Sequence, residues 1–295
     1  MTLLNQEAKS LTVNETSREI IISGENFSYE FDRRRAMFTS LEYSGTELLD
    51  RPLEYNAFRA PTDNDCSVKR DWYKYHLTEQ ITKVYSLNVS AGEKGSVKII
   101  SETALGWLIF RNSFRLISEY TVFADGSVRI KSNVKVNDKR EYLPRFGLRF
   151  FLKKNFDNLE YYGYGPHESY EDKHRSTYKA LFESKVCEQY EPYVRPQENG
   201  SHFGTSFVSL SDGKIKLTVT SPKDFSFNVS EYTQEELSTK AHNWELEKSG
   251  CTVFCADYKM SGVGSNSCGP YLLEKYQFNE KEFEVDFLLR VCSLS

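Results

Sequence analysis

Ser127-Val128-Arg129-Ile130-Lys131-Ser132-Asn133-Val134-Lys135-Val136 places apolar side chains at 128, 130, 134 and 136 and charged ones at 129, 131 and 135. A two-residue period puts the first set on one face of an extended chain and the second on the other, so the stretch predicts a half-buried strand. Ile215, Leu217 and Val219 alternate against Lys214, Lys216 and Thr218 in the same way, and Phe225, Phe227 and Val229 follow after Pro222 as a further strand. Asp125-Gly126 and Asp212-Gly213 stand just before two of these runs, where the turns between antiparallel strands belong. Phe283, Val285 and Phe287 alternate before Leu288 breaks the pattern, which predicts a strand inside a sheet, buried on both faces near its finish.

The rest of the chain agrees with a strand reading. Its 295 residues include 19 Tyr and 20 Phe, which suits pleated surfaces. Helical signals are confined to residues 69–76 and to the capping box Thr233-Gln234-Glu235-Glu236. No βα alternation of the kind a (β/α)₈ barrel requires is present. The polar start, residues 1–15, reads as a loose leader, and residues 16–295 as one large antiparallel sandwich.

Charge and cysteine usage exclude several functions. A net charge of −4 and a pI near 5.9 argue against a nucleic-acid partner. Arg33-Arg34-Arg35 reads as a turn between strands. No apolar run approaches the roughly 20 residues that span a bilayer, and the start lacks the basic and apolar regions of a secretory signal. A cytoplasmic location with free thiols is therefore expected, and the Asn-x-Ser/Thr triplets carry little weight. The six cysteines are scattered. Cys251-Thr252-Val253-Phe254-Cys255 lacks the second pair of a zinc site and reads as buried thiols, so no metal is assigned.

Four loops concentrate the unusual residues. Phe58-Arg59-Ala60-Pro61-Thr62-Asp63-Asn64-Asp65 gathers a cation, two carboxylates and an amide around a proline. Tyr161-Tyr162-Gly163-Tyr164-Gly165-Pro166-His167-Glu168-Ser169-Tyr170 mixes glycines and rings with a His/Glu pair. Pro192-Tyr193-Val194-Arg195-Pro196-Gln197-Glu198-Asn199-Gly200 compresses Arg, Glu and Asn. Gly262-Val263-Gly264-Ser265-Asn266-Ser267-Cys268-Gly269-Pro270 is punctuated by glycine. Planar hydrogen-bonding groups beside aromatic rings suit a sugar, and the same groups could instead pair beneath loops as scaffold. Arg59, Asn64, His167, Arg195, Glu198 and Asn199 are the residues left between these two readings. His167 and Glu168 are adjacent and point to opposite faces of an extended chain, which argues against their acting as one acid/base pair. The fourth loop lacks the Lys-Ser/Thr of a phosphate cradle, and Cys268 has no adjacent base, so it reads as a rim residue.

In order and wording these loops resemble the C-terminal sandwich region of the lactose-hydrolysing β-galactosidases, glycoside hydrolase family 2, which in some bacteria is a separate small chain. The resemblance implies an all-β, large antiparallel β-supersandwich, galactose mutarotase-like. It implies that both catalytic glutamates lie on a barrel absent here, so that no catalytic residue belongs to this chain and the chain alone is inactive. It implies a flap after Asp65, over Cys66, Ser67, Val68 and Lys69, and a pocket-lining position at Cys268, where some members carry a sugar-stacking tryptophan. The expected partners are a barrel-bearing large chain or domain and a galactoside, in an oligomeric complete enzyme. Mg²⁺ and Na⁺ are ions that the complete enzyme could hold, mostly outside this region, and no cofactor is assigned to this chain. Two other readings stay open: an aldose 1-epimerase using His167 or His202 with Glu198, and a passive carbohydrate-binding module.

Overall fold

The computed structural model describes residues 11–107, 111–137 and 139–294. Residues 1–10 of the expected leader lie outside these. Its remainder is not loose, because Thr12–Glu15 forms strand β1, paired with β2 (Glu19–Ser23) and held also by an ion pair between Glu15 and Arg33. With β3 (Phe27–Asp32), β4 (Met37–Tyr43) and β5 (Thr46–Glu47) these make a five-stranded antiparallel sheet. The three arginines lie in the β3–β4 turn, where Asp32 Oδ1 accepts from Arg34 N (2.7 Å) and Arg35 N (2.8 Å).

The other twelve strands are β6 (Leu49–Asn56), β7 (Ile81–Ala91), β8 (Val97–Trp107), β9 (Arg111–Val122), β10 (Val128–Val136), β11 (Arg145–Lys153), β12 (Asn158–Gly165), β13 (Tyr178–Lys185), β14 (Ser201–Ser211), β15 (Ile215–Ser230), β16 (Cys251–Met260) and β17 (Glu282–Ser293). All their pairings are antiparallel. One path runs β13-β12-β14-β15-β17-β10-β9-β8-β7, and a branch runs β15-β16-β11-β6.

The fork lies in β15, which joins the two strands expected around Pro222 into one of 16 residues. Residues 215–220 pair with β17 and residues 226–230 with β16. Pro222 falls between these two pairings, so its missing N–H costs neither ladder a bond. The strand β10 alternates as its sequence demands, with Val128, Ile130, Val134 and Val136 buried and Arg129, Asn133 and Lys135 exposed. The strand β17 lies inside the sheet, between β15 and β10, but it is not buried on both faces near its end, since Arg290 is exposed and pairing continues the alternation to Val291.

The branch packs over the main path as a second layer. Phe146 of β11 meets Phe114 of β9 and Phe283 of β17 with ring centroids 5.1 and 5.2 Å apart. Tyr55 of β6 buries its hydroxyl against Ser132 Oγ (2.6 Å) and Ser118 Oγ (2.9 Å), which satisfies polar groups that a dry core would otherwise penalise. The small sheet joins the same core through Phe31, Phe38 and Tyr120 and through Tyr29, whose hydroxyl donates to the Gly126 carbonyl (2.8 Å).

Helix is sparse: α1 (Lys69–Lys74) and α2 (Gln234–Thr239). Thr233 caps α2 by accepting from Glu236 N (3.1 Å), while the Glu236 carboxylate turns instead to Glu247 N (2.8 Å), so only half of the expected capping box forms. No helix among the described residues is long and apolar enough to cross a membrane. All six cysteines are unpaired, with Cys251 and Cys255 buried.

Candidate functional site

The chain leaves β6 at Asn56 and turns at once, because the Asn56 side chain bonds both the N–H (3.1 Å) and the carbonyl (3.0 Å) of Phe58. Arg59 is thereby directed inward and is fully buried. Its fork reaches Ser261 O (2.6 Å), Gly262 O (3.0 Å) and Asp65 Oδ1 (2.8 Å), and its plane lies 5.4 Å from the ring of the buried Trp72. The second oxygen of Asp65 accepts from Thr62 N (2.9 Å) and Thr62 Oγ1 (3.0 Å), closing the turn after Pro61. Burial opposes the Arg59 charge, and Asp65 overrides that and raises its pKa.

The other loops are tied to this turn. Asn64 donates to Gly264 O (2.8 Å) and accepts from Ser267 N (3.1 Å). Asp172 accepts from Val263 N (2.9 Å) and Gly264 N (2.7 Å). Gln197 accepts from Asp63 N (3.0 Å), and Glu198 N donates to Ala60 O (3.1 Å). Glu168 collects Lys173 Nζ (2.6 Å), Gly200 N (3.0 Å) and the Tyr193 hydroxyl, which clamps the second loop to the third. Beneath them Arg145 of β11 pairs with Asp257 of β16 (Nε to Oδ1 3.0 Å) and reaches Glu198 at 3.3 Å. Burial raises the Glu198 carboxyl to about 7 against the pull of Arg145 and Arg59. Burial likewise raises Asp257, with Arg145 opposing it.

The family profile described as Beta galactosidase small chain matches residues 23–289. The chain belongs to the β-galactosidase small-chain family. It is 37% identical to a β-galactosidase of Actinobacillus pleuropneumoniae and 34% identical to one of Staphylococcus xylosus, with 95% of this chain covered in each case. It spans 28% of the length of each of those relatives. Among solved structures, a galactose 1-epimerase from Lactobacillus acidophilus NCFM superposes with a TM-score of 0.53 at 10% identity, over 97% of this chain and 100% of that one. That likeness gives this chain a galactose mutarotase-like fold.

The expected site residues divide by depth. Cys66, Ser67 and Cys268 are exposed and Lys69 is half-buried, and Cys66 Sγ and Ser67 Oγ both contact Asn266 (3.5 and 3.1 Å). Val68 does not reach that surface, since its side chain packs in the core beside Trp72. Arg59, Asp65, Glu198 and Asn199 are buried scaffold, and Asn64 is half-buried between loops. Asn199 holds Glu191 N (3.1 Å) and Gln197 O (2.9 Å). His167 and Arg195 are exposed beyond this frame. His202 is enclosed, with Nδ1 donating to Tyr164 O (3.0 Å) and Nε2 lying 2.6 Å from the Gln189 side-chain amide. Burial holds its imidazole down at about 4, so it is neutral at pH 7. With His202 sealed, His167 in solvent and Glu198 on Arg145, the structure brings no His/Glu acid–base pair together at Glu198. Among the described residues, no three of His, Cys, Asp and Glu converge as metal ligands.

Sequence reasoning missed Arg145, Asp257 and Asp172, which carry the frame. A signal was present for two of them, because Arg145 and Asp257 are charges that adjoin apolar runs in strands and need partners once buried.

Proposed function

We propose that this small chain completes the rim of a galactoside-hydrolysing site whose two catalytic carboxylates lie on a barrel-bearing chain or domain. The observation that carries this reading is the division between a buried frame and an exposed edge. Arg59, Asn64 and Asp172 hold the 59–65 and 262–270 loops side by side, and what they present outward is Cys66, Ser67 and Cys268. Hydrolysis with retention uses two carboxylates about 5–5.5 Å apart flanking the glycosidic bond. The buried acids of the frame are committed to cations: Asp65 to Arg59, Asp257 and Glu198 to Arg145, and Glu168 to Lys173. This chain therefore shapes and closes a pocket, and the chemistry comes from the partner.

Mixing the purified chain with its barrel-bearing partner and following release of nitrophenol from a nitrophenyl galactoside tests the proposal. Hydrolysis is expected only in the mixture, together with co-elution of the two chains. Full activity of the barrel chain by itself, with no association, would overturn it.

A further inference from the structure

A cleft of about 580 Å³ opens over β14–β17, within the range of small-molecule sites, and none of Cys66, Ser67, Lys69 and Cys268 lines it. One wall is built by an irregularity in β14. The β14–β15 register shifts on both sides of Thr205, and Gly204 has φ of +61°, a conformation that L side chains rarely adopt. A Cβ at 204 would also approach the Tyr164 ring to 2.9 Å. Such bulges re-aim a side chain. Here Phe203 is turned out of the ladder onto Tyr164 (6.0 Å between centroids, 25° between planes) and His174 (5.2 Å, 29°). Phe203 and Tyr164, both half-buried, give the cleft an aromatic wall.

The polar groups of the cleft are largely matched to one another. Lys179 pairs with Asp224 (2.5 Å), and Lys259 with Glu280 (2.9 Å), to which the Tyr258 hydroxyl also donates (3.0 Å). Asp286 and Glu284 are paired by Arg129 and Lys131. A fixed field favouring a strongly charged ligand is therefore lacking, while oriented donors and acceptors remain. Lys223, which is exposed, and Glu171 are the exceptions. Glu171 lines the cleft half-buried, and no hydrogen bond or ion pair engages its carboxylate among the described residues. Burial raises its pKa, with Lys259 opposing. A vacant acceptor lining the same cleft as two aromatic rings, amid charges that are mostly paired, is the combination that an uncharged polyhydroxyl ring satisfies: its C–H face packs on the rings and its hydroxyls donate to carboxylate.

We propose that this cleft binds an uncharged mono- or disaccharide, with Phe203 and Tyr164 as the stacking wall and Glu171 as the hydroxyl acceptor. Its neighbour Asp172 holds the 262–270 loop by accepting from Val263 N and Gly264 N, which places the cleft one residue from the frame of that loop.

The test is made on the full chain without any partner, so its outcome is independent of the hydrolytic reading. Galactose and lactose are titrated by calorimetry and by amide chemical-shift mapping. Saturable binding is expected, with shifts at 171, 203–204 and 258–260. Phe203→Ala should weaken it by about tenfold, the equivalent of one aromatic contact. Glu171→Gln, which keeps the shape of the side chain, should weaken it severalfold with an unchanged circular dichroism spectrum. Absence of saturable binding by folded wild-type chain at about 50 mM sugar overturns the proposal, as does binding that both variants leave intact.

Discussion

At the Arg145 cluster two guanidiniums, Arg59 and Arg145, meet three carboxylates, Asp65, Asp257 and Glu198, all out of water. One carboxylate is in excess, and Glu198, with the longest contacts, is the one whose pKa is raised to about 7. A carboxyl whose folded pKa lies above its ordinary 4.5 favours the folded state most fully below 4.5, and that contribution is lost as pH rises through 7. His202 acts in the opposite sense. Its folded pKa of about 4 lies below the ordinary 6.5, so its contribution is present above 6.5 and lost as pH falls through 4. The two slopes oppose each other between 4.5 and 6.5. Glu198→Gln removes the Glu198 slope, and the stability of the variant relative to wild type is expected to rise with pH from 4.5 to 7 in urea titrations. Parallel profiles for the two proteins would mean that Glu198 stays ionised in the fold. Arg59→Ala strands Asp65 and two carbonyls, and should cost about 3–5 kcal/mol in the same assay. Arg195→Ala, at an exposed side chain, should stay within about 0.5 kcal/mol. The contrast between these two arginines was not legible locally, since both sit in Pro-containing loops with Asn and an acid nearby. Only the distant carbonyls of Ser261 and Gly262 distinguish them.

Strands were the most legible elements, because a two-residue period survives wherever one face meets water. The β10 stretch shows this, and even its break at Ser132 has a physical reason in the buried hydroxyl cluster with Tyr55 and Ser118. The strand β1 was missed because Thr12–Glu15 is mostly exposed and carries no apolar stripe, its place being set by pairing with β2. The continuity of β15 was hidden by Pro222, which punctuates most strands but here sits where the sheet forks. The register of β11 against β16 shifts between Phe146 and Gly147, and nothing in the sequence signals this beyond the glycine. A Cβ at Gly147 would lie 2.0 Å from Ala256 O, against the backbone of β16, where no side chain can yield. Gly147→Ala is thus expected to push β11 from β16 and to destabilise by about 3 kcal/mol or more, read as a lowered urea midpoint. A midpoint within experimental error of wild type would show that β16 gives way freely.

The five-stranded sheet and the forked twelve-stranded sheet share one continuous set of buried side chains, with Phe31, Phe38 and Tyr120 at their junction. Unfolding should therefore be a single transition. Tryptophan fluorescence, to which the buried Trp72 contributes, and far-ultraviolet dichroism are expected to give coincident urea curves, and a separate early dichroism step would mean that the small sheet melts alone. How the four loops converge was beyond local pattern, since Arg59 and Gly262 are 203 residues apart and the strands between them set their meeting. Resemblance to a family supplied the order of the loops, and the buried frame supplies the cause. That frame grips the 261–267 path almost wholly by its main chain: Arg59 takes the carbonyls of 261 and 262, Asp172 the amides of 263 and 264, and Asn64 the carbonyl of 264 and the amide of 267. Recognition of backbone is indifferent to what the backbone bears. Apart from Asn266, whose side chain bonds Ser67 Oγ, the positions from Ser265 to Cys268 are thus free to vary in size and polarity while the loop keeps its course, which makes this edge a cassette in which pocket shape can be rewritten without renegotiating the fold.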